Sequence, residues 1–228
     1  MSIKLPMIGA ALTALALGAS ACGGSGGGGG GGGQPPAQQP AQEPQAQAPT
    51  PVAEVSDLSG KSTAVTLDEK FTSALEELEV TPGPVGDAKI SEKGVASFPI
   101  TGGEVKYFEP GSVNPFVQGE IMHEGSGLSL EAGDTKVELE DFVVNPGNSK
   151  LTTTVSANGE VAAEDAETFF LDGTNLKPLE TKGDQAILKG TEVTLTEDAA
   201  ELLNETFEVE AFEKGLPIGE AKITLNTQ

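Results

Sequence analysis

From residue 95 onward the chain repeatedly alternates apolar and polar positions. Val137 and Leu139 fall on one side of an extended backbone, Glu138 and Glu140 on the other. This is the pattern of a strand with one buried and one wet face. Runs of this kind predict strands over 95–100, 104–108, 116–123, 128–130, 136–144, 151–156, 160–163, 168–171 and 186–188, with a last one over 221–225. Turn residues punctuate them, among them Thr101-Gly102-Gly103, Pro110-Gly111, Gly125-Ser126-Gly127, Asn145-Pro146-Gly147-Asn148 and Asp172-Gly173. Asn158-Gly159 is the sharpest, a two-residue hairpin turn between Val155-Ser156-Ala157 and Glu160-Val161-Ala162.

Two segments change to the helical period. Leu67, Phe71, Leu75 and Leu78 share one helix face over 66–78, with Thr66 and Glu69 in capping-box positions and Pro82-Gly83-Pro84 as the stop. Ala199, Ala200, Leu203 and Phe207 do the same over 197–207, after the cap Thr196. Strands every 8–12 residues predict an antiparallel β sandwich or barrel. The fold class is therefore mainly β, with two short α-helices, one near each end of a single domain over 62–228. The two ends also echo each other. Val65-Thr66-Leu67 and Val193-Thr194-Leu195 precede the helices, while Gly86-Asp87-Ala88-Lys89-Ile90 and Gly219-Glu220-Ala221-Lys222-Ile223 follow them.

The first 61 residues lack these periods. Lys4 and the apolar run from Ile8 to Leu17 make residues 1–21 a secretion signal. The run is too short to span a bilayer, which takes about 20 residues. Ala19-Ser20-Ala21 before Cys22 resembles a lipobox, so Cys22 is the expected site of lipidation. It is the only cysteine, which excludes a disulfide within the chain. Residues 22–61, nearly all Gly and then Pro, Gln and Ala, are expected to form a tether. About 38 residues of coil reach roughly 35 Å. The resulting expectation is a cell-envelope protein facing outside the cytoplasm and held to the membrane by lipid alone.

Charge narrows the chemistry. Thirteen basic residues, all Lys, stand against 35 acidic ones, for a net −22; loss of Lys4 with the signal makes it −23. Such a surface repels nucleic acid and anionic lipid, and without Arg there is no bidentate clamp for phosphate or carboxylate. One His, one Tyr and no Trp leave no Ser-His-Asp set without His123 and no metal site with two His ligands. No metal, catalytic residue or cofactor is called for, and the chain is expected not to be an enzyme. The remaining enzymatic alternative is a hydrolase built on two carboxylates in a cleft.

The order of several pieces resembles the HtaA-like domains of actinobacterial surface proteins, over about residues 65–225. They are the helix with an early Phe, Phe98-Pro99-Ile100-Thr101-Gly102-Gly103, Gly119-Glu120-Ile121-Met122-His123-Glu124-Gly125, Leu128-Ser129-Leu130, Asp141-Phe142-Val143-Val144, Leu151-Thr152, and the Leu195-Thr196 … Ala199-Ala200 helix. Some members capture haem. The resemblance implies that a Tyr on the first helix and a His after the strand carry the iron chemistry. His123 stands at that His position, but the Tyr position is Ala74. Tyr107 lies elsewhere in the sequence.

His123 and Tyr107 are therefore the candidate ligand-binding residues. His123 precedes Gly125-Ser126-Gly127 at an expected strand end, where a lone histidine more often serves structure than chemistry. Met122 and His123 point to opposite faces of a regular strand and do not share one iron. Asp172-Gly173-Thr174-Asn175 has oxygen ligands but not the spacing of a calcium loop, and reads as a turn. The leading expectation is a non-catalytic surface module for binding or envelope architecture. Haem capture through His123 is the alternative.

Overall fold

The computed structural model describes residues 49–226. The signal segment, Cys22 and the Gly- and Pro-rich stretch as far as residue 48 lie outside the described residues.

The described chain runs β1 (Ala53–Val55), β2 (Lys61–Leu67), α1 (Glu69–Glu77), β3 (Thr81–Gly86), β4 (Lys89–Ile90), β5 (Val95–Pro99) and β6 (Gly102–Tyr107). It continues through β7 (Val117–Ala132), β8 (Thr135–Asn145), β9 (Lys150–Ala157), β10 (Glu160–Asp172), β11 (Glu180–Lys182), β12 (Gln185–Leu195), α2 (Glu197–Phe207) and β13 (Pro217–Asn226). All strands belong to one antiparallel sheet in the order β1-β6-β7-β8-β9-β10-β12-β13-β2-β5-β4, with β3 on β7 and β11 on β12. The mainly β class with two short helices holds, and of the two β architectures the barrel is the nearer. The sheet curls into a half-barrel. β5 and β6 stand near opposite ends of the order yet follow each other in sequence. The chain changes partners between two residues: Ile100 exchanges hydrogen bonds with β2 and Gly60, and Thr101 N–H donates to Met122 O at 2.9 Å. That switch closes the wall around a lumen of buried Val, Leu, Ile and Phe side chains.

Several expectations are corrected. The fold begins before residue 62. β1 pairs with β6, and Leu58 is among the most buried side chains at 1% exposure. Composition hid this because Leu58 is one apolar residue in a polar stretch. The first helix starts at Glu69 and is capped by Asp68, whose carboxylate accepts from Lys70 N–H at 2.8 Å. Thr66 instead pairs within β2, between Glu220 and Val95. Pro82-Gly83-Pro84 does more than stop the helix: it lies in β3, against β7. Proline is tolerated there because β3 lies off the main path of the sheet, paired on one side only. Gly125-Ser126-Gly127 is no turn either, since β7 runs through it. Likewise β10 is one strand with register shifts rather than two.

Other expectations match. Asn158 and Gly159 both have positive φ, 52° and 83°, as a two-residue hairpin of this twist demands. α2 begins after Thr196, whose hydroxyl accepts from Ala199 N–H at 3.2 Å. The echo between the two ends holds in its first half only. β2 and β12 flank β13, and each ends in Val-Thr-Leu and leads into a helix. Gly86 ends β3 and 87–90 forms a turn and short β4, whereas 219–223 lies inside β13.

Candidate functional site

The geometry of the lumen starts from a bulge in β7. His123 pairs with Phe142 and Gly127 with Glu140, so Glu124, Gly125 and Ser126 together face one residue, Asp141. In a regular strand His123 and Leu128, five apart, would point to opposite faces. The bulge turns both inward, where they line the same cavity. It is pinned on three sides. Glu124 N–H donates to Thr101 Oγ1 at 2.9 Å, Gly125 N–H to Asp141 Oδ1 at 2.8 Å, and Asp87 N–H to Gly125 O at 3.0 Å.

The cavity around His123 measures about 60 Å³, and hydrocarbon side chains such as Phe98, Phe142 and Phe169 make most of its wall. His123 is 1% exposed. Its Nδ1 lies 3.1 Å from Phe142 O and its Nε2 2.8 Å from Thr63 Oγ1. A carbonyl only accepts, so Nδ1 carries the proton, and Nε2 accepts from the threonine hydroxyl. Both nitrogens of a neutral ring are thereby satisfied. Burial pushes the imidazole down to about 4, against a smaller opposing pull from the Phe142 carbonyl. Among the described residues no buried side-chain nitrogen or oxygen lacks a partner.

A second, wider space opens at the end of the barrel where β6 meets β7, β8 meets β9, and β10 gives way to the turn after Asp172. This mouth encloses about 350 Å³, within the usual range of small-ligand sites, about 300–1,000 Å³. It adjoins the inner cavity, with which it shares Val144, Leu171, Thr191 and Ile223 as walls. Its rim carries Pro115, Phe116, Pro146 and Leu176. Among the described residues Asp172 is the only ionisable side chain lining it. Thr174 donates to Asp172 Oδ1 through its N–H, at 2.8 Å, and through its hydroxyl. These two bonds hold the carboxyl below its ordinary range. The Asp172 segment is thus the turn that its residues suggest.

The structure does not gather the residues singled out in the sequence into one site. His123 faces the inner cavity. Tyr107 is buried in the wall of β6 and meets the ring of Phe116 edge-on, with centroids 5.9 Å apart. Tyr107, Met122 and Ala74 line neither space. Nor does the mouth hold the carboxylate pair a glycosidase needs. Sequence reasoning passed over Phe116 and Leu176. The one signal for Leu176 was an apolar residue, with Leu179, inside an otherwise polar connection.

No family model and no curated protein matches the sequence. Solved structures match the fold. The C-terminal domain of HtaA from Corynebacterium glutamicum aligns with 75% of this chain and 98% of its own, at 10% identity and a TM-score of 0.52. The N-terminal domain of the same protein aligns with 75% and 98% at 13% identity and a TM-score of 0.49. The heme binding protein HtaB from that organism aligns with 77% and 96% at 10% identity and a TM-score of 0.48. The domain of this chain has the HtaA-type fold that the order of its sequence pieces resembles.

Proposed function

We propose that this chain is a non-catalytic binding module of the cell envelope, lipid-anchored through Cys22, whose binding site is the mouth of the half-barrel. The observation that carries the reading is the mouth itself: an apolar-walled opening that adjoins an apolar inner cavity, with a single ionisable group lining it among the described residues. Openings of this kind at the ends of β-barrels are where small ligands are held. One carboxylate without a partner supports no general acid–base pair.

Haem capture, the property named for the HtaB domain, finds less support in these residues. Both nitrogens of His123 are engaged, the cavity beside it is far smaller than a ligand pocket, and among the described residues no cation lines the mouth to meet propionates. A haem reading requires His123 to leave Thr63 and the lumen to widen.

The test uses the full chain carrying Cys22→Ser, titrated with the uncharged apolar dye Nile red and separately with haemin. The expected result is a saturable, single-site rise in Nile red fluorescence that Ile223→Trp abolishes, and a haemin spectrum without a Soret shift. No saturable dye binding would overturn the mouth as a site. A Soret shift lost in His123→Gln would move the function to haem.

A further inference from the structure

We infer that the mouth takes a slender amphipathic molecule, one apolar chain ending in a cationic or neutral head, with the chain threaded toward the inner cavity and the head at Asp172. The inference rests on the mouth being a binding site and adds the class of its ligand.

Shape argues for the chain. A flat, wide ligand can fill the mouth but not the inner cavity, which is roughly one sixth of its volume. The two spaces adjoin across four side chains, Val144, Leu171, Thr191 and Ile223. Dry apolar cavities of this kind accept hydrocarbon rather than water. The polar atoms of His123 and Thr63 are spent on each other and on Phe142 O, so the inner end presents hydrocarbon only. Each methylene buried there contributes about 0.8 kcal/mol, or roughly fourfold in affinity.

Charge argues for the head. Among the described residues no Lys lines the mouth, and the chain has no Arg. Lys150 is matched with Glu167 at 2.5 Å and Lys189 with Glu180 at 2.6 Å, while Lys177, which follows Leu176 in sequence, is not part of the lining. Asp172 spends one oxygen on Thr174, and among the described residues its second oxygen has no donor. A carboxylate or sulfate head would meet an anion at the rim and a net charge of −22 beyond it. An ammonium head meets its complement.

The experiment titrates the full Cys22→Ser chain by calorimetry with decyltrimethylammonium, decyl glucoside and decanoate, each below its micellar concentration. The expected order of affinity is cation, then neutral, then anion. Asp172→Asn, a change at a half-exposed position, should lower cation affinity about three- to fivefold and leave the glucoside unchanged. Shortening the tail from ten carbons to six should weaken all heads alike. Decanoate binding as tightly as the cation, or a cation indifferent to Asp172→Asn, would overturn the ligand class while leaving a binding mouth. Haemin binding with no decyl ligand bound would overturn the inference and leave a binding module of the haem type. Failure of every probe, Nile red included, would overturn both.

Discussion

At the scale of the residue, His123 shows how a side chain that invites a chemical reading is spent on structure. Its two nitrogens hold Phe142 O and Thr63 Oγ1, tying β7 to β8 and to β2 across the lumen. The cost is proton linkage. In the unfolded chain an imidazole titrates near its ordinary 6.5; folded, His123 titrates at about 4. Between those values the unfolded state binds more protons. The sign follows: stability is fully present above pH 6.5, declines as pH falls toward 4, and levels off below it. The loss amounts to about 3 kcal/mol. Denaturant unfolding of the wild type at stepped pH should show this decline. His123→Gln, which lacks the titration, should be flatter over the same window. A wild-type curve with no slope between pH 6.5 and 4 would refute the buried neutral imidazole.

At the scale of the element, glycine placement decides the lumen. A Cβ on Gly127 would stand 2.2 Å from Leu139 O, a backbone atom that cannot rotate away. Gly127→Ala should therefore break the bulge that points His123 and Leu128 inward, and lower Tm well beyond the roughly 2–4 °C that one kcal/mol costs a domain of this size. Retention of the wild-type Tm would show that the bulge is not required.

The same bulge marks where the sequence stopped being legible. α2, the Asn158-Gly159 hairpin and the paired faces of β8 were written in local signals: a cap, a turn dipeptide and an alternation. The continuity of β7 was not, because Gly125-Ser126-Gly127 carries turn residues that also suit a bulge, and only the register against β8 distinguishes the two. β1 and β3 escaped for a related reason. Three residues at the edge of a polar stretch, and a strand written as Thr-Pro-Gly-Pro-Val-Gly, carry no period of their own. They are strands because β6 and β7 offer them free edges. For the site, His123 was visible as the single histidine, but its burial was not. Burial depends on Thr63, sixty residues away in the chain.

At the scale of the whole molecule, the architecture sets what this domain can hold. One sheet wraps a hydrocarbon lumen, α1 and α2 pack against it, and its open end carries the wider space. The strongly acidic exterior and the lack of arginine make that opening unfriendly to anions, although its walls are apolar. These features agree with the proposed binding of an apolar, non-anionic ligand at the mouth.

Methyl-resolved NMR of the full Cys22→Ser chain, titrated with decyltrimethylammonium below its micellar concentration, tests the mouth as the binding site most directly. The predicted result is saturable shifts at Val144, Leu171, Leu176 and Ile223, with Leu75 on α1 and Leu203 on α2 unmoved. Shifts confined to the helices, or none at all at saturating ligand, would contradict it.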